Sequence, residues 1–287
     1  MPDPIKVLAT VRRATDLFRR TPGRSGGLIR LDAAAEVMIV GDLHGNIPAF
    51  IKVLDAAALA SHPARHLVLQ ELVHGPRFYP DDAGDRSHQL VDLVCALKCQ
   101  YPDRVHLILG NHELSELTDR PIAKGGVALN ALFKQGLETA YGAMAGEIHA
   151  AYLELFAALP LACRTANRVF LCHTIPDPKD VEKLAPEVFA ADSWPKDWTC
   201  RGGPVYGITW GRCTEADNTE AFAAVVDADL FINGHQPCEE GFRQPSPRQL
   251  IIDGTDPYPA YCLFDAQGPV TIESLVASVR VFSPDLT

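Results

Sequence analysis

No stretch of the 287-residue chain is apolar over anything near the ~20 residues that a membrane helix needs, so no spanning segment and no membrane partner are expected. The eight cysteines form no CxxC pair and show no zinc-finger spacing, which argues against a disulfide framework or a structural zinc site. Cys95 and Cys99 lie four apart on an expected helix, while Cys172 and Cys262 sit inside apolar strands. Such cysteines suit small, reduced hydrophobes in a cytoplasmic protein. Positive charge is also scarce: 26 Lys and Arg face 36 Asp and Glu, for a net charge of −10. That balance disfavours binding to nucleic-acid duplexes, which depends on neutralising phosphates, but it permits a compact pocket of a few arginines. The first twenty residues, MPDPIKVLATVRRATDLFRR, have an early acid and no apolar core, so they do not read as a secretory signal. Their apolar positions (Ile5, Val7, Leu8, Val11, Leu17, Phe18) predict an amphipathic helix packed on the domain.

No low-complexity tract, repeat or Gly/Ser linker divides the chain, so one domain over 1–287 is expected, with 1–36 a helix and lead-in and 37–278 the core. The pattern alternates: strand AEVMIV, helix 47–59, strand RHLVLQ, helix 88–99, strand RVHLIL, a long helical region over 126–158, then strand NRVFLC. Residues 177–204, rich in Pro, Trp and Asp, predict a surface loop with a short helix and a candidate substrate lid. Helix EAFAAVVDA, strand DLFIN and three further strands (RQLIID, AYCLFDA, PVTIES) follow. Alternation followed by clustered strands predicts an α/β protein of mixed sheets with outer helices.

What the sequence does have in quantity is polar chemistry at strand ends. VMIV runs into Gly41-Asp42-Leu43-His44-Gly45-Asn46, HLVLQ into Glu71, VHLIL into Gly110-Asn111-His112-Glu113, VFLC into His173, and LFIN into Gly234-His235. Ligands of open α/β sheets gather beyond the carboxyl ends of strands, so these residues are candidates for one shared site. Carboxylate, amide oxygen and imidazole together suit Mn, Fe or Zn. Asp42 and His44, two apart on an extended segment, could face one cation.

The motifs GDLHGN, LGNHE, CHTIPDP and NGHQPCEEGF, with AYCLFDAQG towards the end, resemble those of calcineurin-like metallophosphoesterases. The similarity is greatest to the branch containing Ser/Thr protein phosphatases and symmetrical diadenosine tetraphosphate hydrolases. The resemblance implies two mixed β-sheets packed face to face between helical layers, and two metal ions. It places Asp42 and His44 on one ion and Asn111, His173 and His235 on the other, with Asn111 also reaching the substrate phosphate. It makes His112 the general acid and Arg201 a phosphate clamp. It further implies phosphoester hydrolysis by direct attack of a metal-activated water, without a covalent enzyme intermediate.

One family motif, G-D-x-x-D-R-G, is altered. Gln70-Glu71 stand where Gly and the metal-bridging Asp are expected, so Glu71 becomes the candidate bridge. Two alignments of LVLQELVHGPRFYPDDAGDRSHQL follow. A deletion would put His74 near the place of the second Asp. An inserted loop would let Asp85 orient His112 and Arg86 contact phosphate, with Arg77 as the other phosphate contact; DRSHQL favours this alternative. The expected partner is a phosphorylated substrate, small molecule or phosphoprotein. A dinucleoside polyphosphate hydrolase and an inactive binding protein are the alternatives.

Overall fold

The computed structural model describes residues 3–124 and 126–283. Two mixed sheets face each other, as expected. One has five strands in the order Val279–Val281, Ala260–Asp265, Glu36–Val40, Arg65–Gln70, Val105–Ile108, the last three mutually parallel. The other has seven, in the order Arg24–Ser25, Leu28–Leu31, Ala162–Thr165, Val169–Cys172, Leu230–Asn233, Gln249–Ile252, Phe242–Ser246.

Strand periodicity builds the layers. Val37, Ile39, Val68 and Ile108 from the first sheet meet Leu171, Ile232, Leu250 and Ile252 from the second in a fully buried inner layer. Met38, Val40, Leu67, Leu69 and Leu107 point the other way, onto helices Pro4–Arg19, Ile47–Ala57 and His88–Gln100. On the second sheet Phe170 and Phe231 turn outward to Phe222 of the Ala216–Val226 helix. Each such side chain contributes about 1.5–3 kcal/mol when removed from water. In the first helix Val7, Leu8, Val11 and Phe18 are buried, whereas Ile5 is exposed.

Three expectations need correction. PVTIES is not a strand: Thr271 and Ser274 exchange a capping box that starts helix Ile272–Ala277, and this local hydrogen bonding overrides the β-branched run. The long helical region divides at Gly142–Met144 into Leu129–Tyr141 and Ala145–Ala157. Residues 177–204 contain three short helices rather than one. No helix among the described residues is long and apolar enough to cross a membrane.

Candidate metal centre

The parallel strands deliver their carboxyl-terminal residues to one cleft of about 700 Å³, with Asp42, His44, Asn111, His112 and His235 in its wall. The chain turns abruptly there: His44, Glu71, His74 and His235 all have left-handed backbone, with φ of 40°, 48°, 62° and 67°. Non-glycine residues adopt this conformation at a cost of order 1–3 kcal/mol each, and they cluster at functional sites. Two glycines clear the space. A Cβ at Gly110 would lie 2.4 Å from Glu71 Oε1, and one at Gly234 would lie 2.1 Å from Asp42 Oδ1.

Two ligand groups form on this floor. Glu71, His173 and His235 make one; His44, Glu71 and His112 make the other, each with donor atoms within 4.8 Å of one another. Glu71 is common to both. Its Oε2 lies 2.9 Å from His173 Nε2, and its Oε1 accepts the His112 backbone N–H at 2.8 Å. Asn111 Oδ1 joins the first group, 3.0 Å from His173 Nε2 and 2.8 Å from His235 Nδ1. Gln70 fixes the His173 tautomer: its Nε2 donates to Val40 O, so its Oε1 accepts from His173 Nδ1–H at 3.0 Å and leaves Nε2 bare. His44 Nδ1 donates likewise to Val73 O at 2.8 Å. Ligating histidines are held by such second hydrogen bonds.

The electrostatics fit cations. Asp42 Oδ1, Glu113 Oε2 and His235 Nε2 are buried without a hydrogen-bond partner among the described residues. Burial, with Glu71 and Asp253 nearby, raises the Asp42 carboxyl well above its usual range. Burial and then Glu71 push Glu113 up to about 8. Burial brings His173 down to about 3, as a neutral imidazole. Carboxylates crowded against lone pairs in a dry floor are stabilised by divalent metal, and oxygen with imidazole nitrogen suits Mn, Fe or Zn.

The structure redistributes several expected roles. Asp42 and His44 do not lie on an extended segment, because His44 and Gly45 (φ 70°) turn; Asp42 instead accepts the His235 N–H at 2.7 Å and lies 3.8 Å from His173. Asp85 does not reach His112. Its buried carboxylate accepts from Ser87 N and Oγ and from Gly75 N, which ties the loop down. The partner of His112 is His74, with the two Nδ1 atoms 2.9 Å apart. Arg86 lies over the Tyr79 ring at 5.5 Å, and Arg201 is on an exposed turn; neither lines the cleft. Arg77 does line the cleft, paired with Asp256 at 2.9 Å, and so does Arg212, which the sequence reading missed. Its signal was Gly211, where a Cβ would lie 2.1 Å from Ile175 O: only a glycine lets the chain press against the segment after His173 and carry Arg212 to the site. Residues 177–204 supply no lining; Phe78, Ile122, Val127, Leu129, Leu132 and Trp210 make the apolar wall instead.

Fold and site together define a metal-dependent hydrolase built on a two-sheet sandwich. The chain belongs to the calcineurin-like phosphoesterase family, whose model matches residues 35–239. It is accordingly a phosphatase-type hydrolase that acts on phosphate esters with the aid of metal. Among solved structures it is similar to a protein serine/threonine phosphatase from Saccharomyces cerevisiae with similarity to human phosphatase PP5, with a TM-score of 0.71 and 16% identity over 100% of this chain and 93% of that one. It is also similar to a cold-active protein-tyrosine phosphatase of a psychrophile, Shewanella sp., with a TM-score of 0.58 and 13% identity over 85% of this chain and 78% of that one. At these identities the likeness concerns the fold.

Proposed function

We propose that the protein hydrolyses phosphomonoesters, of a small molecule or of a phosphoprotein, at a dinuclear centre of Mn, Fe or Zn. The observation that carries this reading is the membership of Glu71 in both ligand groups. Asp42 and His44 would hold one ion and Asn111, His173 and His235 the other, with Glu71 between them; His112, which groups with His44 and Glu71, is kept for the proton. Bound there, two cations supply positive charge against the phosphoryl oxygens and lower the pKa of a water. The chain does the rest. Arg212 and Arg77 present planar, charge-assisted donors to the remaining phosphate oxygens. His112, at the cleft wall, is the group placed to hand a proton to the leaving oxygen. The apolar wall formed by Phe78, Ile122, Val127 and Trp210 offers a contact surface to a bulky, weakly polar alcohol.

The cleft's charge favours a monoester over a dinucleoside polyphosphate. Among its described lining residues the only cationic side chains are Arg77, already paired, and Arg212, and they share the cleft with Asp253 and Asp256. A polyphosphate chain would meet those carboxylates with several negative charges of its own. Turnover of phosphopeptide and aryl phosphate by metal-loaded protein should exceed turnover of dinucleoside polyphosphate. The reverse order would overturn the monoester reading, and no hydrolysis by a protein carrying two ions would indicate a binding role.

A further inference from the structure

Behind His112 runs a file of polar side chains, buried at its centre, that crosses four parts of the chain. His74, on the loop after the Arg65–Gln70 strand, places Nδ1 2.9 Å from His112 Nδ1 and Nε2 2.9 Å from Glu116 Oε1. Glu116, one turn after His112 in helix Asn111–Thr118, accepts from Asn130 Nδ2 at 2.7 Å through the same oxygen. Its other oxygen lies 3.0 Å from His149 Nε2, on the Ala145–Ala157 helix. The His74 and Glu116 side chains are 0% and 1% exposed, so water does not stand in for these bonds.

The donor and acceptor order follows from the far end. Burial alone would raise the Glu116 carboxyl, but the hydrogen bonds from His149 and His74 hold it down at about 2, so it is an anion. An anion can only accept, so His74 donates through Nε2–H. An imidazole whose single proton sits on Nε2 has a bare Nδ1. Towards such a nitrogen His112 donates Nδ1–H, which turns His112 Nε2 outward, where a second proton carried on that nitrogen would meet the leaving oxygen.

We propose that Glu116 and His74 are positioning residues that act on His112 in series. Glu116 selects the His74 tautomer, and His74 in turn fixes the ring and tautomer of His112 and offers an acceptor when that ring is doubly protonated. The anion thus acts through an intervening imidazole instead of touching His112. This inference rests on His112 being the general acid of the proposed reaction. Asn130 and His149 are supports that keep Glu116 in place and charged.

The test compares two esters, phenyl phosphate, whose leaving oxygen needs a proton, and 4-nitrophenyl phosphate, whose phenolate leaves readily without one. In metal-saturated Glu116→Gln, which keeps the shape and removes the charge, phenyl phosphate hydrolysis should fall by about 10–100-fold, as when the partner orienting a reacting imidazole is lost. The 4-nitrophenyl ester should fall by at least about ten-fold less than the phenyl ester. His74→Asn is the second variant. Asparagine tolerates left-handed backbone and its Oδ1 can still accept from His112, but the link to Glu116 is cut. It should show the same selective loss, and neither change should add to the loss in His112→Asn. Equal loss on both esters, loss of a metal ion, or an additive effect in His112→Asn would make the file merely structural and sink the proposal. If His112→Asn itself treats the two esters alike, the general-acid reading fails first. If His112→Asn is selective and the other two variants are not, only the relay fails.

Discussion

At the amino ends of strands Arg65–Gln70 and Val105–Ile108, His66 and His106 stack with ring centroids 5.2 Å apart, and Lys98 is buried close by. Lys98 Nζ donates to Thr21 Oγ1 at 2.8 Å, Pro102 O at 2.6 Å and Val105 O at 2.9 Å, and lies 4.6 Å from the centre of the Phe18 ring. At the carboxyl ends of the same strands, Glu71, Asn111 and Glu113 meet Asp42, His173 and His235. Both ends bury titratable groups at the cost this always carries. The amino end supplies its own cation and saturates its three donors with oxygens of the chain. The carboxyl end gathers carboxylates and lone pairs and leaves Asp42 Oδ1 and Glu113 Oε2 without a hydrogen-bond partner among the described residues; Arg212 in the cleft wall is close enough to lower the His173 and His235 imidazoles but bonds neither oxygen. Burial of polar groups is thus not by itself the mark of a site. The mark is a set of carboxylates and imidazole lone pairs converging with some of their acceptor atoms left unanswered.

The strongest way to break that contrast is Glu71→Ala. Without the shared carboxylate two like-charged ions would face each other unscreened, so metal content should fall from two ions to at most one and phosphatase activity should vanish. Glu71→Asp should retain part of the binding. A Glu71→Ala protein that holds two ions and hydrolyses esters as the parent does would show that the two groups are not joined by this residue. Elemental analysis of the saturated protein reads the outcome directly.

A smaller effect is expected at Gln70, which the altered motif places where the family pattern has glycine. Gln70→Leu strands His173 Nδ1–H and Val40 O without partners, frees the ring to turn, and should weaken metal binding by about 10–100-fold. Gln70→Glu keeps an acceptor for His173 but loses the donor to Val40 O, so it should restore only part of that affinity. Metal titrations that do not distinguish Gln70→Leu from the parent would mean that His173 is oriented by packing alone.

These residues also show what could be read from the chain beforehand. The strand ends were legible because each couples an apolar run to a ligand type at its end, with a glycine beside Asp42, Asn111 and His235, all of it local. Glu71 stood out by the same rule. What escaped depends on contacts made far along the chain. His74 meets Glu116 over 42 residues and His112 over 38, through helix packing that no spacing encodes. DRSHQL correctly marked the approach to the His88–Gln100 helix, yet Asp85 turns its carboxylate inward to Ser87 and Gly75. Arg201 and Arg212 sit eleven residues apart in similar glycine-bearing turns, and only the tight approach of Gly211 to Ile175 decides which reaches the cleft.

The smallest effect, and the one that sharpens the comparison from the other side, is expected of Lys98→Met. Methionine matches the length and removes three hydrogen bonds, two of them to backbone carbonyls, and a buried unpaired polar group costs about 1–3 kcal/mol. Part of that loss is offset at neutral pH, because the fold pays to keep the ammonium out of water. Burial brings Lys98 down to about 8 from its ordinary value of 10.5. The sign then follows. Below about 8 both folded and unfolded chains carry the proton, and the parent bears the full desolvation cost. Between about 8 and 10.5 the unfolded chain holds a proton that the folded chain has released, so parent stability rises with pH. Above that window the gain is complete. Lys98→Met has no such group, so its deficit relative to the parent should be modest at pH 7 and widen through the window, with metal content unchanged throughout. Denaturant unfolding at a series of pH values measures it. A deficit that stays flat or shrinks as pH rises would show that Lys98 is not held in a low-dielectric pocket, and that the amino end of these strands is wetter than its burial implies.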